Sequence, residues 1–145
     1  MKPLVVFGDA KAAAITVLRE GLAEHPAPHT VGVSFGTRGP GARSPETPRL
    51  PFVLVATDGT SLAGWPANAR TTVRVTVWHA SEEHAHDLAQ LAQALLLVHS
   101  GPVLRSVRPG PGVTTTVDPD TGIDLASFTV AANLRPVAVG TTPPP

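Results

Sequence analysis

The chain has 145 residues, 42% apolar and 15% charged, with 11 basic and 11 acidic side chains in balance and no cysteine. That length suits one domain with a sizeable core, and zero net charge gives no whole-molecule field to attract nucleic acid or a membrane. Without cysteine there are no disulfides, no thiol catalysis and no cysteine-ligated zinc, and so sparse a surface charge suits a subunit of an assembly better than a monomer.

The first apolar run, Leu4 to Phe7, is too short for a signal-peptide core or a membrane span, so synthesis in the cytoplasm without export is expected. It reads as a short strand or an extended arm, and residues 1–8 are assigned to an N-terminal arm. Asp9 is placed to cap a helix from Ala10 to about Glu24. Its apolar stripe is Ala14, Ile15, Leu18 and Leu22, with Lys11, Arg19 and Glu20 on the wet side. His25-Pro26-Ala27-Pro28 ends it, because proline cannot continue the ladder. Val31, Val33 and Phe35 alternate as a strand. The segment Gly36 to Pro48, GTRGPGARSPETP, has no periodicity and opens a long loop over 36–50. Leu50 to Thr57 returns to an apolar strand, Asp58-Gly59 signals a turn, and Ser61 to Asn68 is an irregular link containing Trp65-Pro66.

Arg70 to His99 is the clearest stretch. Val73, Val75 and Val77 point one way and Thr72, Arg74, Thr76 and Trp78 the other, the period of a strand with one face in a core. At Ser81 the period changes. Its hydroxyl caps a helix whose first turns carry Glu82, Glu83 and Asp87, and Ala85, Leu88, Ala92 and Leu95 form a stripe widened by Leu91 and Leu96. Gly101-Pro102 stops it. Val103 to Arg108 reads as a strand with Val103, Arg105 and Val107 on one face. Val113 to Val117 is another, Asp118 to Gly122 a turn, and Phe128, Val130, Ala132 and Leu134 the core face of a last strand. The expected fold is a single α+β domain over 9–139, order α-β-β-β-α-β-β. Its sheet is mostly antiparallel with two helices packed on one face, and residues 140–145 form a flexible tail.

His79, His84, His86 and His99 around the second helix raise a metal or acid–base reading. Two helical histidines share an ion best at a spacing of four, whereas His84 and His86 are two apart, roughly 200° around a helix. His84 and Asp87 form at most a local pair on one helix face, so surface or boundary histidines account for the pattern. No serine lies in a nucleophile elbow, GTRGPGARSP lacks the Gly-Lys-Ser/Thr of a phosphate loop, and the aspartates around Gly122 lack the glutamate of a calcium loop. No catalytic, cofactor-binding or metal residue is assigned, and no enzyme activity or cofactor is expected.

Partner contact is the better use of the remaining polar features. Arg38, Arg43 and Arg49 lie in or beside the long loop, either as part of a solvated connector or as guanidinium forks that order against a partner's carboxylates. Trp65 either covers a core edge or anchors an interface. Arg70, Arg74 and Trp78 share the strand side opposite the valines, a side that meets water or another subunit. These seven residues are the candidate interface.

An Asp-Ala-started helix with Leu18-Arg19 near its end, a Pro/Arg-rich loop, RTTVRVTVWHASEEHAHDLAQLAQALL and the ending VDPDTGIDLASFTV together resemble the tail terminator proteins of long-tailed, siphovirus-type bacteriophages of actinobacteria. The likeness covers about residues 9–135 and rests on element order and local wording. It implies a small α+β subunit in a hexameric ring that caps the head-proximal end of the tail tube and offers a docking surface to the head connector. The implied partners are other copies, the major tail tube protein and a head-side connector or stopper. DNA would only pass through the lumen, no membrane is involved, and the location is the virion tail. The loop Gly36 to Pro48 and the face bearing Arg74 correspond to regions where such subunits meet neighbours, lumen or tube. Ring contacts can also extend a sheet between subunits and protect its edges. Competing readings are another head–tail joining ring, such as a stopper or head-completion protein; a small histidine- or metal-dependent hydrolase; and a ligand-binding α+β domain, which needs a preformed apolar pocket.

Overall fold

Valine alternation builds the centre of the sheet. In a computed structural model, which describes residues 2–37 and 50–140, strand β4 (Ala69–His79) pairs antiparallel along its length with β7 (Asp124–Leu134). Val73, Val75 and Val77 stand opposite Val130, Phe128 and Ala126, and all six are buried. On the other side of β4, β3 (Phe52–Ser61) adds Val53 and Val55 to the same face. The short β2 (Ser34–Gly36) runs parallel to β3 at one edge. At the far side, β5 (Leu104–Pro109) and β6 (Thr114–Val117) pair with successive parts of β7, both antiparallel.

Helix α1 (Ala10–Glu24) starts at Asp9, whose carboxylate accepts from the N–H groups of Lys11 and Ala12. It buries Ala10, Ala14, Leu18 and Leu22, with Ile15 half-buried beside them. Helix α2 (Glu82–Leu97) is capped by the Ser81 hydroxyl, which accepts from the His84 N–H at 3.2 Å. Ala85, Leu88, Ala89, Ala92 and Leu96 face inward and join the valines and the α1 stripe in one core. Both helices thus cover one face of a mostly antiparallel sheet, the α+β arrangement expected. Gly21 sets how closely they meet, since a Cβ there would lie 2.8 Å from the Leu95 methyl carbons.

Four details differ from the sequence reading, each for a physical reason. The N-terminal strand, one of the two forms expected of Leu4 to Phe7, has a partner that was not expected: β1 (Val5–Phe7) pairs antiparallel with β8 (Pro136–Ala138) in a separate two-stranded ribbon. The first expected strand shortens to Ser34–Gly36, preceded by a 3-10 turn at Pro28–Thr30, and Val31 is exposed. Asp58-Gly59 is a bulge rather than a turn. The register shifts between Thr57 and Thr60, Gly59 takes φ +80°, and the Thr71 hydroxyl donates to its carbonyl at 2.7 Å. A second shift, between Leu104 and Ser106, makes Leu104 and Val107 the buried pair instead of Val103, Arg105 and Val107. The turn from Asp118 to Gly122 stands as expected between β6 and β7. Most of the 36–50 loop and the tail over 141–145 lie outside the described residues.

Candidate functional site

Arg38, Arg43 and Arg49 lie outside the described residues. The other candidates occupy or border the sheet face that the helices leave open. Even-numbered positions of β4 point there, so Arg70 and Arg74 share that face with Cα atoms about 13 Å apart at the rise of a strand. The Arg74 guanidinium donates to Asp58 at 2.8 Å, and both side chains are about half exposed. The bulge explains the contact, because its extra residue sets Asp58 beside the strand that carries Arg74. Arg108, not singled out from sequence, joins them: it is paired with Ala131, itself opposite Thr72 on the same face. Three guanidiniums and one carboxylate stand over a floor of Thr72, Thr76, Ser127, Thr129 and Ala131.

Trp78 corrects the expectation that it points outward as contact surface. It lies on the Arg74 side but is only 6% exposed, covered by its own chain. Its indole N–H donates to Asp118 at 2.8 Å, and Phe52 packs 6.0 Å from its ring. The Trp78 N–H holds the Asp118 carboxyl below its usual range, helped by the N–H of Asp120 at 2.9 Å. Alternation placed the side chain on the correct face; the β6–β7 turn then covers it, which periodicity does not foresee.

Trp65, 37% exposed, sits with exposed Leu62 in the turn between β3 and β4. The turn lies at the end of the sheet where Ala69 meets Leu134, just before β8. At that end the β1–β8 ribbon carries an apolar face that sequence reasoning missed. Val6 is paired with Val137, and the Val139 N–H donates to the Leu4 carbonyl, so these four side chains share one face. They are 67% (Leu4), 52% (Val6), 50% (Val137) and 41% (Val139) exposed, while Phe7, on the opposite face, packs against the core. Four exposed aliphatic side chains side by side on one small ribbon form an apolar patch of a kind that is often functional. Edges are open too. Among the described residues, β6 presents an uncharged Thr-Thr-Thr-Val edge and β3 beyond Leu54 has no strand on its outer side.

Three histidines converge where β4 meets α2. The His79 and His84 rings lie 5.0 Å apart edge to face, and His29 from the 3-10 turn lies 6.5 Å from His84. His86 points elsewhere, 3.7 Å from Asp87, as its two-residue offset from His84 requires. Nδ1 of His79 accepts from the Ala80 N–H at 2.8 Å, so the ring proton sits on Nε2, which donates to the His29 carbonyl at 3.1 Å. Both nitrogens are thus committed to backbone, and burial, joined by the nearby His84 and His29 rings, outweighs the raising effect of the bond to the His29 carbonyl and holds the His79 pKa below its usual value. Among the described residues no group of three or more His, Cys, Asp or Glu is placed to hold a metal ion. An open cleft of about 270 Å³ between α1 and the α2–β5 link is lined by Ala13, Val17, Pro102 and Val103, with Glu20 and His99 among its polar lining. That is below the range of about 300–1,000 Å³ typical of small-molecule pockets.

Among the described residues no helix is long and apolar enough to cross a membrane. No family model matches the chain, and no curated protein matches it.

Proposed function

We propose that the chain is a structural virion subunit whose copies form a ring, six by the resemblance, closing the head-proximal end of a phage tail tube. In this reading the ring ends tube polymerisation and gives the head connector its docking surface. It is built in the host cytoplasm and resides in the tail. Its partners are its own copies, the major tail tube protein and the head-side connector or stopper, with DNA only passing through the lumen. It performs no catalysis and takes no cofactor.

The observation that carries assembly is the apolar face of the β1–β8 ribbon, four aliphatic side chains between 41% and 67% exposed on one small surface. Such a patch on a chain with no net charge favours contact with other protein chains. The open β3 and β6 edges and the Arg70–Arg74–Arg108 face add further surface. The choice of a tail ring over other assemblies comes from the resemblance across residues 9–135. Electron microscopy of the purified protein, alone and mixed with polymerised tube protein, tests it. Rings, and tubes capped at one end, are expected. A strict monomer that also ignores the tube would overturn the reading, and labelling on the connector rather than the tube would favour a stopper protein.

A further inference from the structure

We infer that copies of this chain join head to tail: the cation-rimmed apolar end that carries the β1–β8 ribbon seats on the acidic end of the next copy, where α2 begins and β6 turns into β7. The contact itself is independent of the tail reading; only closure of the copies into a ring rests on it.

The two ends of the sheet differ in charge although the chain as a whole has none. At the ribbon end, Lys2 precedes the exposed Leu4 and Arg135 leads into β8. The turn holding Leu62 and Trp65 runs on to Arg70, and its Ala67 carbonyl accepts from the Arg105 guanidinium at 2.8 Å. Asp9, the acidic residue beside the ribbon, is engaged as the cap of α1. At the other end Asp124 stands between His79 and Val117, and Asp120 is exposed in the turn before it. Glu82 accepts from the Thr115 hydroxyl, which sets the start of α2, with Glu83, beside β6. Arg19 is turned over the Phe35 ring at the β2 edge, and Arg74, between the ends, is paired with Asp58. The run of β4 from Arg70 to His79 separates the two charged groups by about 30 Å, several Debye lengths at physiological salt. They therefore do not neutralise each other within one copy.

Exposed apolar side chains follow the same division. The four of the ribbon, with Leu62 and Trp65, lie at the cationic end. Val98 joins them because α2 runs back along the sheet to Gly101, whose carbonyl accepts from Arg135. Val31 and Val117, 71% and 53% exposed, lie at the acidic end. Among the described residues no other large apolar side chain is exposed. A ribbon seated on a second ribbon would set Lys2, Arg70, Arg105 and Arg135 against the same cations, a like-charge contact that opposes pairing. Seated on the acidic end, those cations meet Glu82, Glu83, Asp120 and Asp124 around Val117. Such a contact joins two different patches, so each copy keeps one free end of each sign and the series runs on to a closed ring or a filament.

Sedimentation of the full chain at pH 7.5 in about 50 mM and about 500 mM salt tests this, and the higher salt should weaken self-association roughly tenfold or more by screening the opposed charges. Lys2→Glu with Arg70→Glu alters the cationic end, and Glu83→Lys with Asp120→Lys the acidic end; all four side chains are exposed. Each double variant alone should associate roughly tenfold more weakly than the wild type or worse. An equimolar mixture of the two should recover a contact of wild-type strength, because the untouched acidic end of the first meets the untouched cationic end of the second. Circular dichroism checks their folding. If either fails to fold, zero-length carbodiimide coupling of the wild type decides: Lys2 should join Glu82, Glu83 or Asp120, which one copy holds at opposite ends. Association indifferent to salt or to both pairs of substitutions, or a mixture no stronger than its components, overturns the head-to-tail contact. So does a wild type that is monomeric at low salt or yields no such cross-link. Tube capping that persists when the contact fails leaves the tail reading standing, and head-to-tail association without capping removes the tail reading alone.

Discussion

Trp78→Phe isolates one buried hydrogen bond and attaches a pH signature to it. The wild-type indole donates to Asp118 at 2.8 Å, and the phenyl ring has no donor. A hydrogen bond to a charged group contributes about 1.5–3 kcal/mol, so a loss near 2 kcal/mol is expected at pH 7, lowering Tm by about 4–8 °C in a domain of this size. The smaller ring also loses contact with Phe52, but that loss does not depend on pH. The hydrogen-bond part does. Trp78 and then Asp120 hold the Asp118 carboxyl below its ordinary value of 3.8, so this stability is fully present above that value. It is lost as the pH falls through the lower folded-state pKa. Urea unfolding of both proteins at pH 7 and near pH 3 should show a wide gap that narrows as the pH falls below 3.8. A gap that stays constant across that range would refute the role of the ion, and a gap under about 0.5 kcal/mol at pH 7 would refute the bond. The double variant with Asp118→Asn should show a coupling of about 1 kcal/mol or more between the two side chains.

Other substitutions probe the fold and the contact surfaces separately. Arg74→Ala removes an ion pair whose partners are half exposed, so urea unfolding should move by less than about 1 kcal/mol. A larger loss would mean that the open face is covered in the isolated chain. Val6→Asp combined with Val137→Asp places carboxylates on the ribbon face. The expected product, by sedimentation, is a folded monomer, and retained assembly would remove the ribbon from the interface. Gly59→Val forces a β-branched residue to φ +80° and should cost about 1–2 kcal/mol, so an unchanged urea midpoint would contradict the bulge. Leu88→Ala empties a fully buried site and should cost about 2–5 kcal/mol in the same assay.

Much of the fold was legible because local periodicity and capping carry it. Asp9 and Ser81 mark both helix starts, and the alternation of Val73 to Val77 and Phe128 to Leu134 identifies the central pair and its buried face. The failures have a common cause in information that lies outside a short window. Asp58-Gly59 demands a positive φ, which a turn and a bulge share, and only the partner strand distinguishes them. Arg105 is the extra residue of the second shift, so everything before it in β5 reads one place out of phase. The β1–β8 pairing joins opposite ends of the described chain, and three-residue strands offer too little pattern to detect. The same limit applies to the site. Arg70 and Arg74 were found by alternation, whereas Arg108, His29 and the ribbon patch arrive from other elements. Trp78 was placed on the right side of the strand, with its cover still to come from Asp118.

The position of β7 in the chain sets the order in which the sheet can be completed. β4 is finished at His79, but the strand that pairs with its full length begins only at Asp124, and β5 and β6 wait for the same partner. A nascent chain therefore emerges with α1, β3, β4 and α2 made and one side of its central strand unpaired. Its valine-rich ladder stays open to other strands until residues 124–134 arrive. At ordinary elongation rates that interval lasts seconds, long compared with hairpin formation. Closure of the sheet is thus a late event in synthesis, and a ribosome stalled before Asp124 holds a chain that can collapse but cannot finish.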